Sequence, residues 1–163
     1  MVSRHGHQHG ASGAAAQSNH YIRLIVMAAL SFVSMYALMY AMVDAGNEIY
    51  NSLNQVYMAG LMTAPMVVSE LLLMSGMYEN KRLNVLLIGA SVIAGIVFFT
   101  SIRQQALIAD RQFLRSMIPH HSGAILMCRG AKLQDQRIKD LCKQIISSQR
   151  TEIDQMRKLL ADQ

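Results

Sequence analysis

A chain of 163 residues with 52% hydrophobic and only 15% charged side chains, thirteen methionines and no tryptophan has the length of one soluble domain but not its composition. The apolar residues collect in three runs between residues 21 and 102 and most charges lie behind them, which excludes a single mixed soluble core. Eleven of the fifteen basic residues, which give the net charge of +5, lie from Arg103 onward, directly after a membrane-type segment and without interleaved aromatics. Anionic lipid headgroups are therefore the expected partner, and nucleic acid is not.

The N-terminal stretch reads His5-Gly-His7-Gln-His9, with His20 further on and glycine, serine and alanine between them. Such a composition predicts a disordered tail over 1–20. Its alternating histidines either hold a borderline metal ion transiently or have no role.

Three apolar runs follow. A bilayer core about 30 Å thick needs roughly 20 apolar residues in a helix. The first run, 21–43, has Arg23 as its one charge; the second, 53–78, has Glu70; the third, 83–102, has none. The first exceeds the roughly 7–15 apolar residues of a cleavable signal peptide and reads as a retained signal anchor. Arg4 and Arg23 precede it, Asp44 and Glu48 without any basic residue follow it, and Lys81 and Arg82 follow the second run. Lysine and arginine favour the cytoplasmic side. The expected topology is an N-terminus inside, first loop outside, second loop inside and C-terminal segment outside. Arg103, Arg111 and Arg115 vote the other way.

Met35, Met39 and Met42 share a face of the first run, and Met58, Met62 and Met66 a face of the second. Thioethers suit Cu(I), but methionine at helical spacing is also ordinary core filler, and both readings stand. Glu70 should face a bundle interior or a polar cavity, either protonated and hydrogen-bonded or assisting an ion. Ser91 and Gly95 in the third run permit close helix packing.

From residue 109 the pattern is amphipathic. Asp110, Phe113, Met117, His120, His121, Ala124 and Cys128 fall on one face. A second helix over 135–160 has the stripe Ile138, Leu141, Cys142, Ile145, Gln149, Glu152, Met156 and Leu159, and 130–134 supplies the turn of an antiparallel hairpin. These faces carry two histidines, a glutamine and a glutamate where a packing-only hairpin would carry leucine and alanine. Buried polar groups need partners, and a metal ion satisfies several at once. Imidazole with thioether and thiol favours copper over magnesium or calcium. Pro119 removes the hydrogen bond to the Arg115 carbonyl, so a kink or restart is expected beside the histidines. Cys128 and Cys142 should lie nearly opposite across the seam close to the turn. They then form a disulfide, bind copper as thiolates beside Met127, or stay two small buried thiols that never meet.

Asp110-x-x-Phe113-x-x-x-Met117-Ile-Pro-His120-His121-x-x-Ala124-x-x-Met127, followed by Gln149-x-x-Glu152-Ile-x-x-Met156, resembles the domain of unknown function 305 family over the last third of the chain. The resemblance implies a ferritin-like helical fold and copper association, with Met117, His120, His121, Met127 and Met156 as ligand candidates and Glu152 and Gln149 as ligands or supporting groups. The three runs ahead look like the membrane-anchored bacterial branch, which with the loop charges implies a bacterial inner (plasma) membrane, an N-terminus in the cytoplasm and a periplasmic C-terminal segment. Secreted relatives often carry two hairpins; one alone implies assembly with another chain, a homo-oligomer, or with the spans.

The expected fold is all-α: three transmembrane helices followed by a ferritin-like antiparallel hairpin. The expected function is a membrane-anchored copper binder for buffering, resistance or hand-over, with Met117, His120, His121, Met127, Cys128, Cys142, Glu152 and Met156 as candidate ligands. The alternative is a copper transporter, since three spans, Met58-x-x-x-Met62 and a histidine-bearing tail resemble the eukaryotic high-affinity copper transporters. Those place their N-terminus outside and carry a Gly-x-x-x-Gly in the third helix that is missing here. No enzyme motif is visible, and an enzyme is not expected.

Overall fold

A computed structural model describes the backbone over residues 9–163 and side chains from Asn19 onward. His5 and His7, and the side chain of His9, lie outside the described residues, so the metal reading of the tail does too. Among the described residues the chain is all-α: α1 (His9–Leu38), α2 (Leu53–Leu73), α3 (Lys81–Gln104), α4 (Asp110–Gly130) and α5 (Gln136–Ala161), with 3-10 turns Met39–Met42 and Gly46–Glu48 between α1 and α2. The stretch expected to be disordered through residue 20 is helical from His9. Alanines 14–16 and Gln17 favour helix strongly enough to outweigh the neighbouring glycine and serine. Three segments, Asn19–Met42, Leu53–Leu73 and Lys81–Gln104, are long and apolar enough to cross a membrane.

The chain forms two compact units that do not follow its linear order: residues up to Met35 with Ala59–Phe99, and Tyr36–Met58 with Thr100–Gln163. In the first, Leu24, Leu71 and Tyr78 form a buried cluster flanked by Tyr21, Met27, Val67, Leu87 and Ile88. Ser91 and Gly95 lie with Ala64 and Pro65 along an apolar groove of about 480 Å³, and a Cβ on Gly95 would meet that of Ala64 at 3.4 Å. Helix α2 stops at Leu73, short of the expected 78, and the chain turns back through 74–77. That turn brings the Tyr78 hydroxyl to Glu70 Oε1 in a long hydrogen bond of 3.5 Å, while Asn84 Nδ2 donates to the Tyr78 carbonyl at 2.8 Å. Glu70 is thus partnered near a helix end. Burial first, then the Glu70 carboxylate, raises the Tyr78 phenol above its ordinary value.

The second unit is the hairpin and what covers it. Leu114, Ile118 and Ile125 of α4 and Ile153 and Met156 of α5 are buried together, with Tyr50, Met117, Ile146 and Leu160 packed at their edge. Helix α4 runs through Pro119 without a break. The side chain of Asp135 caps α5 by accepting from the Arg137 backbone N–H, and Arg137 beside it holds that carboxyl below the usual range. Cys128 and Cys142 are joined in a disulfide with α-carbons 5.3 Å apart. Of the three readings the sequence left open, the bridge is the one present, and in this state the pair is not available as metal ligands.

Two features of the hairpin add to or adjust the expectations. A lone hairpin is expected to need another chain or the spans to cover its face; within the chain the segment between α1 and α2 packs on part of α4, a contact the sequence did not suggest. A Cβ on Gly123 would lie 3.2 Å from the Met42 carbonyl oxygen, so glycine there is what lets the loop approach α4. The stripe of α5 keeps Cys142, Gln149, Glu152 and Met156 toward α4 but differs at its edges. Ile138, Leu141 and Leu159 are about half exposed, whereas Ile146, Ile153 and Leu160, spaced one heptad apart, meet the core.

The disulfide closes a segment with a sequence separation of 14. Cross-linking so short a loop is worth about 3 kcal/mol, largely through the unfolded chain. Reduction should therefore lower the unfolding midpoint of the hairpin in the full chain in detergent, followed by helical circular dichroism. An unchanged midpoint would show that the bridge carries no stability.

Candidate metal centre

The expected ligands separate into groups. His121 is 8% exposed. Its Nδ1 lies 3.0 Å from the Met117 carbonyl one turn back, and its Nε2 lies 2.7 Å from Glu152 Oε2 on α5. A carbonyl only accepts, so Nδ1 carries a proton. Nε2 then either donates to the carboxylate, in the charged ring, or accepts from the protonated carboxyl, in the neutral ring. A backbone-anchored Nδ1 is the usual arrangement that orients a histidine for ligation through Nε2.

Met117 and Met156 lie at the adjoining core, Met156 buried and Met117 partly so. One turn before Glu152 on the same helix, Gln149 Oε1 is buried without a hydrogen-bond partner. An orphaned acceptor is a costly feature that a cation or a bound donor would relieve. His121 Nε2, Glu152, Gln149 and the neighbouring thioethers thus have the chemistry to hold a borderline ion.

The remaining candidates are not brought to this point. His120 is exposed, with its ring centroid 6.2 Å from that of His121, because successive helical residues diverge by about 100°. Met127 is 55% exposed; six residues past His121, it falls on another face. Cys128 shares the face of His121 but stands about 10 Å further along the helix. Among the described residues no three His, Cys, Asp or Glu side chains gather around one point, so any ion here depends on thioether or amide donors as well. In the spans, Met35 accepts from the Thr63 hydroxyl at 3.8 Å, and Met58 and Met62 are 40% and 45% exposed.

Sequence reasoning treated Asp44 and Glu48 only as markers of topology, and here it missed the polar cluster beside the centre. Glu48 has no exposed surface. It accepts from Ser122, the neighbour of His121, and from Arg150 of α5, in short contacts, and Arg157 stands 3.7 Å away. The Asp44 backbone N–H donates to the Ser122 hydroxyl at 2.8 Å. The Asp44 carboxylate takes Arg129 of α4 at 2.6 Å and Arg150 of α5 at 3.1 Å. Arg157 also donates to the Asn47 carbonyl at 3.0 Å. Two acids of one loop therefore tie α4 to α5 next to His121 and Glu152. The available signal was charge: the first loop is purely acidic, whereas the C-terminal segment carries most of the arginine.

A family model described as Domain of unknown function (DUF305) matches residues 72–160. The chain belongs to this family. The DUF305 match begins at the end of α2 and so reaches well ahead of Asp110, where the sequence motif begins. The chain is also 38% identical over 146 residues to an uncharacterized protein of Acanthamoeba polyphaga mimivirus, covering 88% of this chain and 93% of that protein. A stretch that long cannot be confined to the hairpin. No solved structure matches.

Replacing Glu48 by alanine would leave Ser122 and Arg150 facing a buried gap. Breaking a buried pair costs several kcal/mol, and with Arg150 34% exposed the expected loss is about 2–3 kcal/mol. It should be read as a lower thermal midpoint and faster proteolysis between residues 43 and 52. Wild-type protease resistance in the variant would show that the loop is held by other contacts.

Proposed function

We propose that this DUF305 protein is a membrane-anchored metal-binding protein that takes up copper at its hairpin, for buffering, resistance or hand-over, on the extracytoplasmic side of a bacterial plasma membrane. The observation that carries the reading is the His121 ring, held through Nδ1 by the Met117 carbonyl and directed through Nε2 at Glu152, one turn from the orphaned Gln149 oxygen. His121, Glu152 and Gln149 would hold the ion, with Met117 and Met156 as thioether donors and exposed His120 as an entry group. Copper, when bound, supplies an affinity for nitrogen and sulfur donors that magnesium and calcium lack.

Location is supported by two features. The first loop and the hairpin touch through the Asp44 and Glu48 contacts, so the loops that the charge pattern assigns to one side are together. The Cys128–Cys142 disulfide suits an oxidising compartment. Ile138, Leu141 and Met127, each about half exposed, support a homo-oligomer that covers them, and the ferritin-like arrangement of paired hairpins belongs to the same reading. The transporter alternative draws on the exposed Met58 and Met62, which would line a path only between copies.

Replacing His120 and His121 together by alanine should abolish tight copper binding by the oxidised protein in equilibrium dialysis, with helical content kept. Unchanged stoichiometry and affinity would make the histidines structural. A phosphatase reporter fused after Gln163 should be active outside the cytoplasm and one fused after Lys81 silent; the reverse pattern favours the transporter.

A further inference from the structure

The turn end of the hairpin carries a second group of soft donors that the His121 centre does not use. Cys128 and Cys142 are each only partly buried and their α-carbons stand 5.3 Å apart. Met127, next to Cys128, is 55% exposed and has no place in the core. We propose that reduction of the Cys128–Cys142 bridge opens a second metal site, in which the two thiolates hold Cu(I) and the flexible, exposed Met127 side chain is a supporting soft donor. The proposal takes the identity of the cargo from the copper reading above, but it does not depend on His121 or Glu152.

The geometry is suitable. A metal–thiolate bond is about 2.3 Å, so an ion lying between two sulfurs holds them about 4.6 Å apart. Side-chain rotation from a bridged pair reaches that separation without moving the helices, whose backbones already stand at disulfide distance. The atoms and electrons balance as follows. An external dithiol of the thioredoxin class gives two electrons and two protons to the bridge and leaves as its own disulfide, while the S–S bond becomes two thiols. Binding of one Cu(I) ion displaces the two thiol protons.

Charge favours the product. Two thiolates with one Cu(I) carry a net negative charge. The surrounding stretch 129–143 contains Arg129, Lys132, Arg137, Lys139 and Lys143 against Asp135 and Asp140. Arg137 and Lys143 pair with those two acids and Arg129 with Asp44, while among the described residues Lys132 and Lys139 have no ion-pair partner. Basic surroundings stabilise thiolates and so favour metal binding. Seven residues separate Cys128 from His121, about 10 Å along the helix, too far for one ion to bridge both sites.

The test uses the full-length protein in detergent, reduced with a water-soluble phosphine, freed of it and titrated anaerobically with Cu(I) against a chromophoric Cu(I) chelator. Reduced protein should bind one more equivalent than oxidised protein, with thiolate-to-copper absorption in the near ultraviolet. Cu(I) should also protect both cysteines from alkylation, as read by mass spectrometry, a readout that needs no variant. The extra equivalent should vanish in Cys128→Ser/Cys142→Ser. Met127→Leu should weaken it about tenfold, as is usual for loss of a supporting group at a metal site. His120→Ala/His121→Ala should keep the reduction-dependent equivalent even if the oxidised protein loses all copper, which separates this site from the hairpin-centre site. Equal stoichiometry in reduced and oxidised protein, or cysteines alkylated equally with and without Cu(I), overturns the proposal.

Discussion

The contact between Glu48 and Arg150 organises the hairpin unit. Glu48 has no exposed surface and meets Ser122 of α4 and Arg150 of α5 in one place, with Asp44 repeating the arrangement through Arg129 and Arg150. Taking a carboxylate out of water is expensive, and only close, multiple pairing offsets it. Once that pairing is made, α5 has little freedom to rotate. Arg150 and Arg157 must face the loop, and this sets Ile146, Ile153 and Leu160 against the core while Ile138, Leu141 and Leu159 turn outward. The same face carries Glu152, which meets His121.

The residues on these facing sides give the candidate centre its mixed character. A buried imidazole has one nitrogen fixed by a backbone carbonyl and the other facing a half-exposed carboxylate. The orphaned Gln149 oxygen adds a hard donor and the core methionines add soft ones. In the proposed copper reading the donor set at the hairpin centre is borderline, while the sulfur-only group at the turn is soft. One hairpin thus offers two different environments along its length, and the proposed cargo could be held in either according to the redox state of the bridge.

Much of the architecture was legible in the sequence because it depends on local pattern. Long apolar runs are visible without knowing their partners, and the hairpin helices fell within a residue or two of their expected limits. Cys128 and Cys142 could be placed opposite each other because an antiparallel pair with a known turn has a fixed register. The motif that resembles DUF305 was read from Asp110 onward, while the family match extends back into α2, since apolar spans carry few distinctive residues. The end of α2 at Leu73 was missed because hydropathy continues through Met74 and Met77 while the backbone already turns.

The sequence by itself determined the elements: an all-α chain, three helices of membrane-spanning length, a C-terminal hairpin and a pair of cysteines facing each other. Only the tertiary structure decided which side of α5 faces the core, which of eight candidate ligands come together, and that the first loop closes over α4. The physical reason is that periodicity fixes a helix and its apolar arc, but an arc as broad as that of α5 permits several rotations. The choice among them is made by long-range charges, here two acids about a hundred residues away in the chain, whose energy appears only once the partners are buried side by side.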